Sequence, residues 1–160
     1  MRKVFLVTSA LTLLAVIAQF YFAGVGVFHR PFDREGFDLH AVNAIVVQGT
    51  ALLTAIAAGL ARAGRRTVLL ALSIILLVEL QRLIFPIAGL FLPAGTTFDA
   101  DGIPLVSEGL PNFVVALHVL NALVILWVVV VLFRRARRHA AAPTTPAPAA
   151  AARVAPVAGQ

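Results

Sequence analysis

Residues 113–133 read FVVALHVLNALVILWVVVVLF, a run without a single charge, and Arg134-Arg-Ala-Arg-Arg138 follows at once. About 20 helical residues cross the roughly 30 Å hydrocarbon core of a bilayer, so this run is one transmembrane span stopped by cations at an interface. His118 and Asn121 interrupt its apolar character. An imidazole and an amide at i and i+3 share one helix face, and polar groups inside a membrane default to a functional-site hypothesis.

The same five residues occur earlier in the chain. His40-Ala-Val-Asn43-Ala44 matches His118-Val-Leu-Asn121-Ala122, and each copy precedes an aliphatic run. Three further stretches, residues 4–28, 39–60 and 67–92, are long and apolar enough to span. The first follows Arg2-Lys3 and invites a signal-peptide reading. Its apolar stretch is longer than an h-region and no A-x-A site closes it, so a retained span is expected.

The fold class that follows is an all-α membrane protein of four transmembrane helices in an up-down bundle, with a possible tandem repeat of a helical hairpin. Residues 1–138 form that domain. Residues 139–160 are Ala/Pro-rich and almost free of charge, which predicts a disordered tail.

Composition agrees. The chain of 160 residues is 61% hydrophobic and 12% charged, far from the roughly 45–50% apolar and 25% charged of a soluble domain. The absence of cysteine excludes disulfides, iron–sulfur ligation and thiol chemistry. A sequence pI near 11.5 suggests nucleic acid in a soluble protein, but here the basic residues flank apolar runs. Lipid is therefore the expected partner, together with other membrane subunits or a second copy, and nucleic acid is not. The use of Arg for all but one of the 13 basic residues, with abundant Ala, suggests a high-GC bacterial genome.

Orientation follows from the cations. With four alternating helices, Arg2, Lys3, Arg62, Arg65, Arg66 and the cluster Arg134–Arg138 fall on one side, and the acidic loops on the other. The positive-inside rule then puts both termini in the cytoplasm of a bacterial cytoplasmic membrane. Helices two and four run parallel under this topology, as in a tandem duplication. Gln19 and Ala23-Gly24 before the first motif are echoed by Gln81 and Ala88-Gly89 before the second, at different spacings.

Two parallel helices that offer histidines across a four-helix bundle can ligate haem iron from both faces, with Asn43 and Asn121 near the second ring nitrogen or the next helix. His40 and His118 are the candidate ligands of a b-type haem, and Arg82 is a candidate partner for a propionate. Residue counting predicts a mismatch, however. His40 stands 22 positions before Arg62 and His118 only 16 before Arg134. That offset is roughly 9 Å along the axis. Tilt and snorkelling arginines can absorb part of it, so a place in the bundle and a place at the water interface both stay open for His40.

Glu79 and Arg82 are i, i+3 neighbours and are expected to pair, which eases the cost of two charges in hydrocarbon. Gln81 points about 200° away from Glu79, so the two serve different neighbours. Gln48 and Thr54 read as interhelical hydrogen-bonders, and Ala51, Ala55, Ala58 and Gly59 as a small-residue stripe for close packing. No Ser/His/Asp array and no metal-spaced His/Glu cluster appears. Asp99-Ala-Asp101-Gly102 lacks the remaining ligands of a calcium loop.

The segments Gln19-Phe-Tyr-Phe-Ala-Gly-Val-Gly-Val-Phe28, Phe37-Asp-Leu-His40 and Leu117-His118-Val-Leu-Asn-Ala122 resemble a family of small four-helix bacterial membrane proteins with only a domain-of-unknown-function label. The resemblance covers about residues 1–138. It implies four spans in a bacterial membrane and brings no activity with it. The paired helical histidines also resemble, in arrangement alone, b-type cytochromes. Three readings stay open. The chain is a non-catalytic accessory or structural membrane protein, a haem-binding redox subunit using His40 and His118, or a small proton-coupled transporter subunit using Glu79 and Arg82. The first is favoured, and no catalytic residue is assigned.

Overall fold

Apolar spans with no partner strand can satisfy their backbone groups in lipid only as helices, and four helices account for most of the chain. A computed structural model describes residues 1–30, 34–98 and 109–142. The helices are α1 (Arg2–Phe28), α2 (Asp38–Leu60), α3 (Arg65–Gly89) and α4 (Leu110–Ala141), with a short 3₁₀ turn at Glu35–Phe37 before α2. All four are long and apolar enough to cross a membrane. The sequence-expected tail from 143 onward, most of the loop before α4 and the Asp99–Gly102 motif lie outside the described residues.

Two boundaries differ from those read off the hydropathy. Helix α4 continues through Arg134–Arg138 to Ala141, three residues into the segment taken as tail. Apolarity ends at Phe133, but arginine is a good helix former and its charge complements the negative end of the helix dipole. Helix α3 carries Pro86 in its last turn and closes at Gly89 rather than at 92.

Helix α1 packs on α2 and α4, and α3 packs on the same two, so α2 and α4 face each other across a diagonal. The two chain ends meet, since Arg2 Nη1 donates to the Ala142 carbonyl at 2.7 Å. The α2–α3 turn lies at the same end. It closes as a Schellman motif, with Ala63 N to Ala58 O at 2.9 Å and Arg62 N to Gly59 O at 3.0 Å. Arg62 occupies the left-handed position (φ 55) that glycine usually fills, and Gly64 follows at φ 90.

The interior is rich in small and hydroxyl-bearing residues, with Phe5, Ile74, Val129 and Leu132 enclosed among them, and the exterior is large and apolar. Ser9, Thr12, Ala51, Thr54, Ala58, Ala71 and Ala136 are fully buried, while Leu14, Ile45, Leu76, Leu120 and Trp127 are each at least 59% exposed. A soluble bundle has the reverse pattern. In lipid, helices gain little by burying Leu against Leu and associate through close packing and interhelical hydrogen bonds. Thr12 and Thr54 supply one such bond at 3.0 Å.

The two hairpins bury equivalent positions. Ser9, Thr12 and Val16 of α1 correspond to Ala71, Ile74 and Val78 of α3, always 62 positions on. Asn43, Val47, Ala51, Thr54 and Ala58 of α2 correspond to Asn121, Ile125, Val129, Leu132 and Ala136 of α4, always 78 positions on. The hairpins run in the same direction, so the relation is a pseudo-twofold along the bundle axis.

Close packing at the stripe gives a direct test. Ala58→Leu inserts three carbons into a contact with no free surface and should cost about 1–3 kcal/mol. Leu60→Ala, at a side chain 62% exposed, should stay within about 0.5 kcal/mol. Unfolding in mixed micelles measures both, and equal losses would sink the packing assignment.

Candidate functional site

Each hairpin ties its two helices together with one glutamine and one asparagine. In the first, Gln19 Nε2 of α1 donates to the His40 carbonyl at 2.9 Å. Asn43 Nδ2 of α2 donates back to Gln19 Oε1 at 2.6 Å and to the Ala15 carbonyl at 2.8 Å. The second hairpin repeats the pattern atom for atom. Gln81 Nε2 of α3 donates to the His118 carbonyl at 2.7 Å, and Asn121 Nδ2 of α4 donates to Gln81 Oε1 and, at 2.8 Å, to the Leu77 carbonyl. Ala15 and Leu77 each stand four residues before their glutamine.

The clamps occupy the amides and leave the imidazoles free to point across the diagonal. The His40 and His118 rings lie with centroids 6.1 Å apart and planes inclined at 42°. His40 Nδ1 is 3.2 Å from the Gln19 carbonyl oxygen. A ring nitrogen that donates there fixes the tautomer and leaves Nε2 as a free acceptor. The equivalent atom, His118 Nδ1, is buried beside the Gln81 backbone and has no partner in hydrogen-bonding geometry. Aromatic rings flank both imidazoles, Phe85 at 4.9 Å from His118 and Phe37 at 6.5 Å from His40. The Phe37 ring packs over Gly26, where a Cβ would meet it at 2.5 Å, so only glycine admits this contact between α1 and the start of α2.

The expected depth mismatch is therefore wrong: the two histidines are level. His139 Nε2 lies 2.9 Å from the Ala61 carbonyl and marks where α4 meets the end of α2. His40 to Ala61 and His118 to His139 span the same 21 positions. Arg134 failed as a depth marker because α4 continues well past the first arginine. His40 is half-buried, as His118 is, and belongs to the site rather than to the interface alone.

Glu79, Gln48 and Arg82 form a separate cluster on the α2–α3 side. Gln48 Nε2 donates to Glu79 Oε1, and Arg82 Nη1 approaches the same oxygen at 3.7 Å. Arg82 and Glu79 remain 68% and 50% exposed. Gln48 is eight residues below His40 on α2, about 12 Å along the axis, so the cluster is not part of the histidine pair. Glu79 and Gln81 serve different neighbours, as their angular separation requires.

Among the described residues no group of three or more His, Cys, Asp or Glu could hold a metal ion. The imidazoles of His40 and His118 are the nitrogen donors that this region brings together. Sequence reading underrated the glutamines. Gln19 precedes His40 by 21 positions and Gln81 precedes His118 by 37, and the unequal loops between the helices hid a clamp that is identical in space.

Residues 19–89 match a family of unknown function (DUF6220). That match takes in Gln19, His40, Asn43, Glu79, Gln81 and Arg82 and stops before His118. It agrees with the expected likeness to an uncharacterised family. No curated protein and no solved structure matches the chain.

The clamp can be tested by a double-mutant cycle. Asn121→Leu should cost about 0.6–1.7 kcal/mol in mixed-micelle unfolding. Adding Gln81→Leu should cost less than the sum of the two single losses, because both remove the same bond. Strict additivity would show that the two amides do not interact.

Proposed function

We propose that the protein is a b-type haem-binding subunit of the bacterial cytoplasmic membrane, with both termini cytoplasmic, and that His40 and His118 are the axial ligands. The observation that carries this reading is the 6.1 Å between the imidazole centroids. That spacing would suit two imidazoles holding one metal between them, with metal–nitrogen bonds of about 2.0 Å. The Gln19 carbonyl beside His40 Nδ1 is the kind of outer partner that orients a ligating histidine and raises its basicity. The Gln81 backbone is beside His118 Nδ1 but not in hydrogen-bonding geometry with it.

A haem held by His40 and His118 would supply one-electron transfer. This chain holds the imidazoles level, fixes their ring orientation and surrounds them with Phe37, Phe85 and apolar helix. Arg82, the residue after Gln81, is a candidate cation for a propionate, although its pairing with Glu79 holds it on the α2–α3 side. The cationic end, with Arg2, Lys3, Arg62, Arg65, Arg66 and the α4 arginines, supports the inward orientation. The haem then sits in the outer half of the membrane.

A second reading, an accessory protein whose polar residues only join helices, is favoured by the amides. All the bonds of Gln19, Asn43, Gln81 and Asn121 described above run between helices. That account covers the amides and leaves the two opposed imidazoles without a purpose. The transporter reading finds Glu79 already engaged by Gln48 and Arg82.

Protein purified in mild detergent from haem-supplied cells should show a Soret band and a reduced-minus-oxidised α-band at one haem per chain. His40→Ala and His118→Ala should each abolish the six-coordinate spectrum while leaving the helical circular dichroism intact. A folded wild-type protein without a Soret band would end the proposal, and a band that survives both substitutions would remove the ligand assignment.

A further inference from the structure

At the cationic end, α1, the α2–α3 turn and α4 enclose an open cavity of about 350 Å³ lined by Phe5, Ala63, Thr67, Arg135, Arg138 and His139. Thr67 is only 6% exposed, lines this cavity, and its hydroxyl makes no hydrogen bond to any described residue. The rest of the side chain is enclosed, so its hydroxyl is open to the cavity. Thr67 is also in the first turn of α3, whose start at Gly64 has no side-chain cap, so the positive dipole end of that helix lies beside the cavity.

The charges around the cavity have one sign. Arg135 and Arg138 line it, Arg65 and Arg66 begin the adjacent helix, and Arg2 reaches Ala142 at its rim. No described acidic residue lies at this end of the bundle, since Glu35 and Asp38 are at the other end and Glu79 is within α3. His139 donates or accepts through Nε2 at the Ala61 carbonyl and stacks edge-on with Phe5 at 6.2 Å, so it builds the wall. Two guanidinium groups and an accessible hydroxyl, beside the positive end of a helix, suit a phosphate.

We propose that this cavity binds a phosphate ester and that its ligand is the headgroup of an anionic membrane lipid. The cavity is at the level where the lipid-facing apolar surface gives way to arginine, which is the height of headgroup phosphates. Phe5 and Ala63 give it apolar walls for the glycerol side of such a lipid. Basic pockets between helices on the cytoplasmic side suit anionic headgroups. The site is independent of the histidine pair at the other end of the bundle.

The full-length protein in detergent micelles provides the test, with the thermal midpoint followed against added phosphatidylglycerol, phosphatidylcholine or inorganic phosphate. Phosphatidylglycerol should raise the midpoint saturably and phosphatidylcholine should not. Arg135→Gln and Arg138→Gln should each weaken the apparent affinity about fivefold, and Thr67→Val about threefold without changing the charge. Arg134→Gln with Arg137→Gln removes the same charge from α4 at positions that do not line the cavity, and should weaken it less than twofold. Losses as large as those of the Arg135/Arg138 pair would mean diffuse attraction to a cationic surface and would overturn the site. So would equal responses to the two lipids with none to inorganic phosphate. A response to inorganic phosphate that the cavity variants abolish would keep the site and assign it to soluble phosphates. Helical circular dichroism of each variant separates lost binding from lost fold.

Discussion

The bundle depends on the reciprocal amide bond between a glutamine on one helix and an asparagine on the next. In hydrocarbon an unpaired amide costs several kcal/mol, so the two side chains are held by the lack of any alternative. Because Gln19 also donates to the His40 carbonyl, the bond fixes the axial register of α1 against α2 to within one residue. The second clamp does the same for α3 and α4. With both registers set, the two imidazoles have no freedom to miss each other, and their level meeting follows from bonds that involve neither ring.

Close packing supplies what the clamps do not. The stripe of buried alanines and hydroxyl residues lets helix backbones approach, and the large aliphatic side chains are left to the lipid. The interior is polar at three heights. The hydroxyl pair Thr12–Thr54 lies toward the cationic end, the amide clamps lie toward the other, and the Thr67 hydroxyl opens to the cavity in the cationic end itself. The first two are bonded within the bundle.

Hydropathy made the fold legible, since four apolar runs of span length, three of them without a charge, point to a four-helix membrane bundle. It did not reveal where helices end once they leave the lipid. A run of arginines marks the membrane boundary but not the helix boundary, and taking Arg134 as an anchor displaced His40 from its true level. The repeated His-x-x-Asn was visible because its spacing lies within one helix. The glutamines were hard to find because their partners are on other helices, and the loops between have unequal lengths. Offsets of 62 in one pair of helices and 78 in the other look like noise along the chain and become a single symmetry operation once the helices are paired.

That symmetry divides the histidine pair evenly between the halves of the chain. A single hairpin carries one imidazole and one clamp, so neither half of the chain holds the pair alone. Because the halves are joined in one chain, they need not match away from the clamps. The Thr12–Thr54 layer corresponds to Ile74 and Leu132 in the second hairpin. Gln48 and Glu79 meet at the α2–α3 seam, whereas the corresponding positions at the α4–α1 seam are Leu126 and Ile17. Two seams related by the pseudo-twofold thus differ in chemistry, and the bundle has a front and a back.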